Sequence, residues 1–99
     1  MGYEMTVGLQ VKDDAMYSSY REAMRPLLEK ASGGFRYDFK ISEVLRNEEG
    51  QPINRVFVIF FGSKELSDQY FSDPGYLRIK SKFFEASVEA TTIISSCQR

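Results

Sequence analysis

Residues 54–86 read NRVFVIFFGSKELSDQYFSDPGYLRIKSKFFEA, and the fold turns on how this stretch is parsed. Val56 to Phe61 is an unbroken apolar run between polar flanks. Such a run reads as a strand with no wet face, central in a sheet and covered on both sides. Gly62-Ser63 closes it, and Ser63 is placed to cap a helix carrying Leu66, Tyr70 and Phe71. At Asp73-Pro74-Gly75 the helix breaks and restarts. Asp73 serves as N-cap and Pro74 takes the first helical position, where its missing N–H costs nothing. Tyr76, Leu77, Ile79, Lys80, Phe83 and Phe84 supply the stripe of the second segment.

Working outward, residues 3–11 alternate, with Tyr3, Met5, Val7, Leu9 and Val11 opposed by Glu4, Thr6, Gly8 and Gln10. Period two marks a half-buried strand. Asp13 then caps a helix from Asp14 to Ala31. Its stripe is Met16, Tyr20, Met24, Leu27, Leu28 and Ala31, and its outer side carries Ser18, Arg21, Glu22, Arg25 and Glu29. Pro26 removes an interior donor and predicts a kink near 22–26, with two helices as the alternative. Ser32-Gly33-Gly34 stops the helix, glycine being the expected left-handed cap. Residues 35–45 alternate again, Phe35, Tyr37, Phe39 and Ile41 against Arg36, Asp38, Lys40 and Ser42. The turn-rich segment 46–52 joins this strand to 54–61 as a hairpin. Residues 88–95 alternate as the last strand.

The order β-α-β-β-α-β over one domain, residues 1–99, predicts an α+β, ferredoxin-like fold. In it the first and third strands are central in a four-stranded antiparallel sheet, with both helices on one face. The other face is left apolar, with Phe57, Ile59 and Phe61, or else Val56, Val58 and Phe60, uncovered beside Ile93. Apolar patches of that size mark interfaces. The expectation is a symmetric homodimer, sheet against sheet. Arg36 and Asp38, on the wet side of the second strand, are further contact candidates.

The run Asp13 to Leu28 with its interior Pro26, then Gly33-Gly34-Phe35, and above all Val58 to Phe61 leading to Ser72-Asp73-Pro74-Gly75-Tyr76, resembles the DUF1330 family of the dimeric α+β barrel superfamily. The resemblance implies the same ferredoxin-like dimer. It implies little about activity, because that superfamily includes cofactor-independent monooxygenases, small isomerases and haem enzymes, and a fold does not choose among chemistries. The sequence departs from the family pattern around Tyr37-Asp38 and at Phe83, where arginines are usual, so any role those arginines carry does not transfer to these positions.

Composition narrows the chemistry. The chain has 99 residues, is 42% hydrophobic and 27% charged, and has a net charge of −1 with its basic residues scattered. That is an ordinary globular balance without the basic stripe of a nucleic-acid binder. No apolar run approaches the roughly 20 residues of a membrane span. A lone Cys97 cannot form an internal disulfide, and with no charged-then-apolar leader the expected location is the cytoplasm. Met1-Gly2 with Thr6 fits the simple myristoylation pattern, but an expected strand at 3–11 and the lack of a basic cluster argue against it. The absence of histidine removes the commonest general base, zinc ligand and haem ligand, so no cofactor is expected and no metal site. What remains is tyrosine and charge. Tyr20, Tyr37 and Tyr76, with Lys80, are the candidates to orient a small, partly apolar, oxygen-bearing ligand between helices and sheet; the same tyrosines also suit plain core packing. Two readings stand: a small-molecule binder or enzyme with this pocket, or a non-catalytic dimeric module.

Overall fold

The computed structural model describes residues 2–99. Its strands are β1 (Tyr3–Val11), β2 (Gly34–Lys40), β3 (Arg55–Phe61) and β4 (Val88–Gln98). Helix α1 (Asp14–Lys30) follows β1. Helices α2 (Lys64–Ser72) and α3 (Pro74–Ile79), a π-helical turn (Lys80–Phe84) and a closing turn α4 (Glu85–Ser87) connect β3 to β4. The sheet order is β2-β3-β1-β4 with every neighbour antiparallel, so β1 and β3 are central as the topology rules require. Among the described residues no helix is long and apolar enough to cross a membrane.

The capping chemistry explains where the helices begin. The Asp13 carboxylate accepts from the Met16 amide at 3.0 Å, and the Ser63 hydroxyl from Leu66 at 3.1 Å. The Asp73 carboxylate accepts from Gly75 and Tyr76 at 2.6 and 3.3 Å, which restarts the chain as α3 behind Pro74. Helix α1 runs through the exposed Pro26 as one helix. Its left-handed terminal residue is Ser32 (φ 56°), not a glycine. Gly33 is required for another reason, since a side chain there would run into the Phe60 carbonyl and Leu28.

The faces of the central strands are set by register. Tyr3, Met5, Val7 and Leu9 of β1 lie opposite Phe61, Ile59, Phe57 and Arg55 of β3. All but Arg55, which pairs with Asp38, join Tyr17, Tyr20, Met24, Leu28, Tyr70 and Tyr76 in the core on the helix side. Phe57, Ile59 and Phe61 are therefore core residues at 8%, 4% and 1% exposure and do not form the uncovered face expected of them. That face carries Val56, Val58 and Phe60, all half-buried. Ile93 also sits on the helix side, paired with Val7.

Strand β2 departs from the simple alternation. A β-bulge between Phe35 and Tyr37 leaves Arg36 without a partner on β3, and one extra residue exchanges the faces of everything that follows. Phe35 stays inside, but Tyr37 and Phe39 emerge on the uncovered face at 60% and 51% exposure, stacked at 5.9 Å. Asp38 turns to the helix side instead of sharing a face with Arg36. The strand also ends at Lys40, short of 45. Residues 41–54 instead fold back by way of Asn54, whose side chain accepts from the Val11 amide and donates to the Val11 carbonyl, both at 2.8 Å. Ile53 lies over Gly8, where a β-carbon would meet it at 2.8 Å, so this loop covers part of the open face.

Candidate functional site

A cavity of about 360 Å³ opens between the helices and the sheet, at the small end of the roughly 300–1,000 Å³ of ligand clefts. Its floor is Met5, Val7, Phe57 and Ile59. Tyr20 of α1, Tyr70 of α2, and Tyr76, Lys80 and Phe84 of the second helical segment form its roof. Thr91 and the half-exposed Ile93 of the edge strand β4 mark its open side.

The roof depends on the helix break and on the π-turn. The Asp73 cap fixes the entry of α3, which buries the Tyr76 ring at 5% exposure. Along a regular α-helix, residues 76 and 84 would lie about 80° apart around the axis. The wider i→i+5 turn at Lys80–Phe84 takes back most of that rotation, so Tyr76, Lys80 and Phe84 all reach the cavity. Phe84 meets Tyr20 with ring centroids 5.0 Å apart, and Tyr70 meets Tyr76 at 4.5 Å.

Besides Tyr17, three phenols are buried here. The Tyr20 and Tyr76 hydroxyls are hydrogen-bonded at 2.8 Å. The Tyr70 hydroxyl is buried and has no hydrogen-bond partner among the described residues. Burial, reinforced for Tyr20 and Tyr70 by the other phenols, pushes all three above the ordinary tyrosine value. They are neutral at physiological pH, so they donate hydrogen bonds and do not act as bases. No carboxylate lines the cavity among the described residues.

Beside the cavity, Asp38 accepts from Arg55 at 2.9 Å twice and from Arg21 at 3.1 and 3.4 Å. Burial alone would raise the Asp38 pKa, but the hydrogen bond and charge of Arg55 and Arg21 outweigh it and hold the carboxyl below its usual value. Arg21 also donates to the Tyr17 hydroxyl at 2.8 Å and lies 3.9 Å over the Phe35 ring. On the opposite face of the sheet, Arg36 pairs with Glu4 at 3.1 Å and covers Phe60.

Of the residues singled out from sequence, Tyr20, Tyr76 and Lys80 line the cavity together. Tyr37 does not, because the bulge sends it to the far side of the sheet. Ile93 borders the cavity instead of the uncovered face. Sequence reasoning missed Tyr17, Arg21 and the hydroxyl of Tyr70. Tyr70 was legible as part of the α2 stripe, and spacing also puts Tyr17, Tyr20, Met24 and Leu28 on one side of α1. The same spacing brings Arg21, four residues after Tyr17 and three before Met24, onto that side, where its guanidinium lies over Phe35.

The model of the family described as "Domain of unknown function (DUF1330)" matches residues 2–97. Among solved structures, a protein of unknown function from Rhodopseudomonas palustris superposes with a TM-score of 0.82 at 17% identity, over 99% of this chain and 82% of its own. A dimeric ferredoxin-like protein of unknown function from Bacteroides fragilis gives 0.61 at 16% identity, over 99% and 96%. A Dabb-family protein with a ferredoxin-like fold from Mesorhizobium loti gives 0.63 at 12% identity, also over 99% and 96%. No functionally curated protein matches the chain.

Proposed function

The chain belongs to the DUF1330 family, and on that premise we propose that it is a homodimeric protein binding a small, partly apolar, oxygen-bearing metabolite in the cavity between helices and sheet. One observation carries this reading: Tyr70 lines the cavity, and its buried hydroxyl has no hydrogen-bond partner among the described residues. An orphaned buried hydroxyl costs about 1–3 kcal/mol, and a ligand oxygen would remove that cost. The role is binding rather than proton transfer, since the cavity offers neutral phenols and, among the described residues, no carboxylate to take up a proton, and the chain has no histidine. The dimer rests on the uncovered face, where Tyr37 and Phe39 stack in solvent beside Val56 and Val58. The Bacteroides fragilis neighbour, described as dimeric, supports it as an analogy of fold.

The test is a thermal-shift screen of small oxygen-bearing metabolites on the wild type, Tyr70→Phe and Tyr76→Phe. Tyr70→Phe should be no less stable than the wild type without ligand, because it deletes an unpaired group. A metabolite that stabilises the wild type should lose most of that effect in both variants. A stabilising compound indifferent to both changes would put the ligand elsewhere.

A further inference from the structure

Resting on that pocket, we infer that its ligand is a small monocarboxylic acid with an apolar body, its carboxylate received by Lys80 and the tyrosine hydroxyls. The charges at the cavity are one-sided. Its lining includes Arg21 and Lys80 and, among the described residues, no acidic side chain. Arg21 shares Asp38 with Arg55, so that cluster sets two cations against one carboxylate and keeps a net positive charge. The nearby Asp14 lies 3.7 Å from Lys40. Lys80 itself is half-buried and forms no ion pair among the described residues. A cation in that setting, beside a largely apolar cavity, is complementary to an anion that brings its own apolar surface.

The protons point the same way. Tyr20, Tyr70 and Tyr76 carry three hydroxyl protons, and the Tyr20–Tyr76 bond uses one of them. Tyr70 keeps a hydroxyl with no partner among the described residues. A free O–H donor beside the Lys80 ammonium suits a carboxylate and does not suit a ligand end that only donates. Lys80 stands one helical turn beyond Tyr76, on the side of the helix that the π-turn directs at the cavity, so one ligand end can meet both. The body of the acid then lies on Met5, Phe57, Ile59 and Phe84.

Matched acid and amide probes test this: phenylacetate against phenylacetamide, and 3-methylbutanoate against 3-methylbutanamide. Each is titrated by calorimetry into wild type, Lys80→Met and Lys80→Arg. In the wild type each acid should bind about tenfold or more tightly than its amide, the difference a charge-assisted contact makes. Lys80→Met should erase that preference, and Lys80→Arg should keep most of it. Amides that bind as well as the acids, or a preference that survives Lys80→Met, would overturn the carboxylate assignment while leaving the pocket standing. If no probe of either kind binds, the pocket reading falls and this inference falls with it.

Discussion

Asp38 is held by two guanidinium groups on the helix side of the sheet, and its depressed pKa fixes how it affects stability. A carboxyl whose folded pKa lies below its unfolded value of about 3.9 adds stability above that value and loses it as the pH falls through the folded pKa. Asp38→Asn should therefore cost about 1 kcal/mol at pH 7, a modest figure because the group is partly exposed. The gap between wild type and variant, read from urea denaturation, should stay constant from pH 7 down to about 5 and narrow as the pH is lowered below about 4. Glu4, also depressed by Arg99 and Arg36, titrates in both proteins and cancels from the difference. A gap that stayed constant throughout would mean that the carboxylate charge contributes nothing. None of this could be read from the residue itself, since Asp38 looks like any polar position of an alternating strand.

At the level of elements, β3 was legible almost entirely and β2 was not. Six consecutive apolar residues in β3 leave no choice but a central strand, yet period two alone does not say which half faces the helices. Register with β1 answers that: Phe61 is 1% exposed in the core, and its neighbour Phe60 lies on the open face under Arg36. Phe61→Ala should cost about 3–5 kcal/mol whatever the protein concentration. Phe60→Ala should cost about half as much or less, with a loss that varies with concentration, because in the proposed dimer a partner chain completes its burial. Equal, concentration-independent losses in chemical denaturation would put both rings in one core. In β2 the extra residue at Arg36 flips Tyr37, Asp38 and Phe39, and the alternating pattern carries no sign of it. The π-turn at Lys80–Phe84 is equally silent in sequence, since Lys-Ser-Lys-Phe-Phe is compatible with an ordinary helix.

For the whole molecule, the two sheet faces have different fates. One is closed by the helices around the cavity, and the other leaves Tyr37 and Phe39 in solvent with Val56, Val58 and Phe60 half-buried. Stacked aromatic rings beside a β-branched row form the kind of patch that association removes from water. Light scattering at micromolar concentration should return twice the mass of one chain for the wild type. Phe39→Glu, which puts a charge in the middle of that surface, should return the mass of a single folded chain. A wild-type monomer would sink the dimer.

The sequence by itself determined the element order, the two central strands, the caps at Asp13, Ser63 and Asp73, and the inward placement of Tyr20 and Tyr76 on their helices. Each of these depends on periodicity or on local chemistry within a few residues, which one chain displays directly. Tertiary structure alone decided that Tyr37 leaves the cavity and Asp38 turns toward Arg21 and Arg55, and that Tyr70 keeps a buried hydroxyl without a partner. The reason is physical: a bulge is defined only by the partner strand opposite it, and a hydrogen bond is missing only once every neighbour has been placed. The ligand hypothesis depends on that second class of fact.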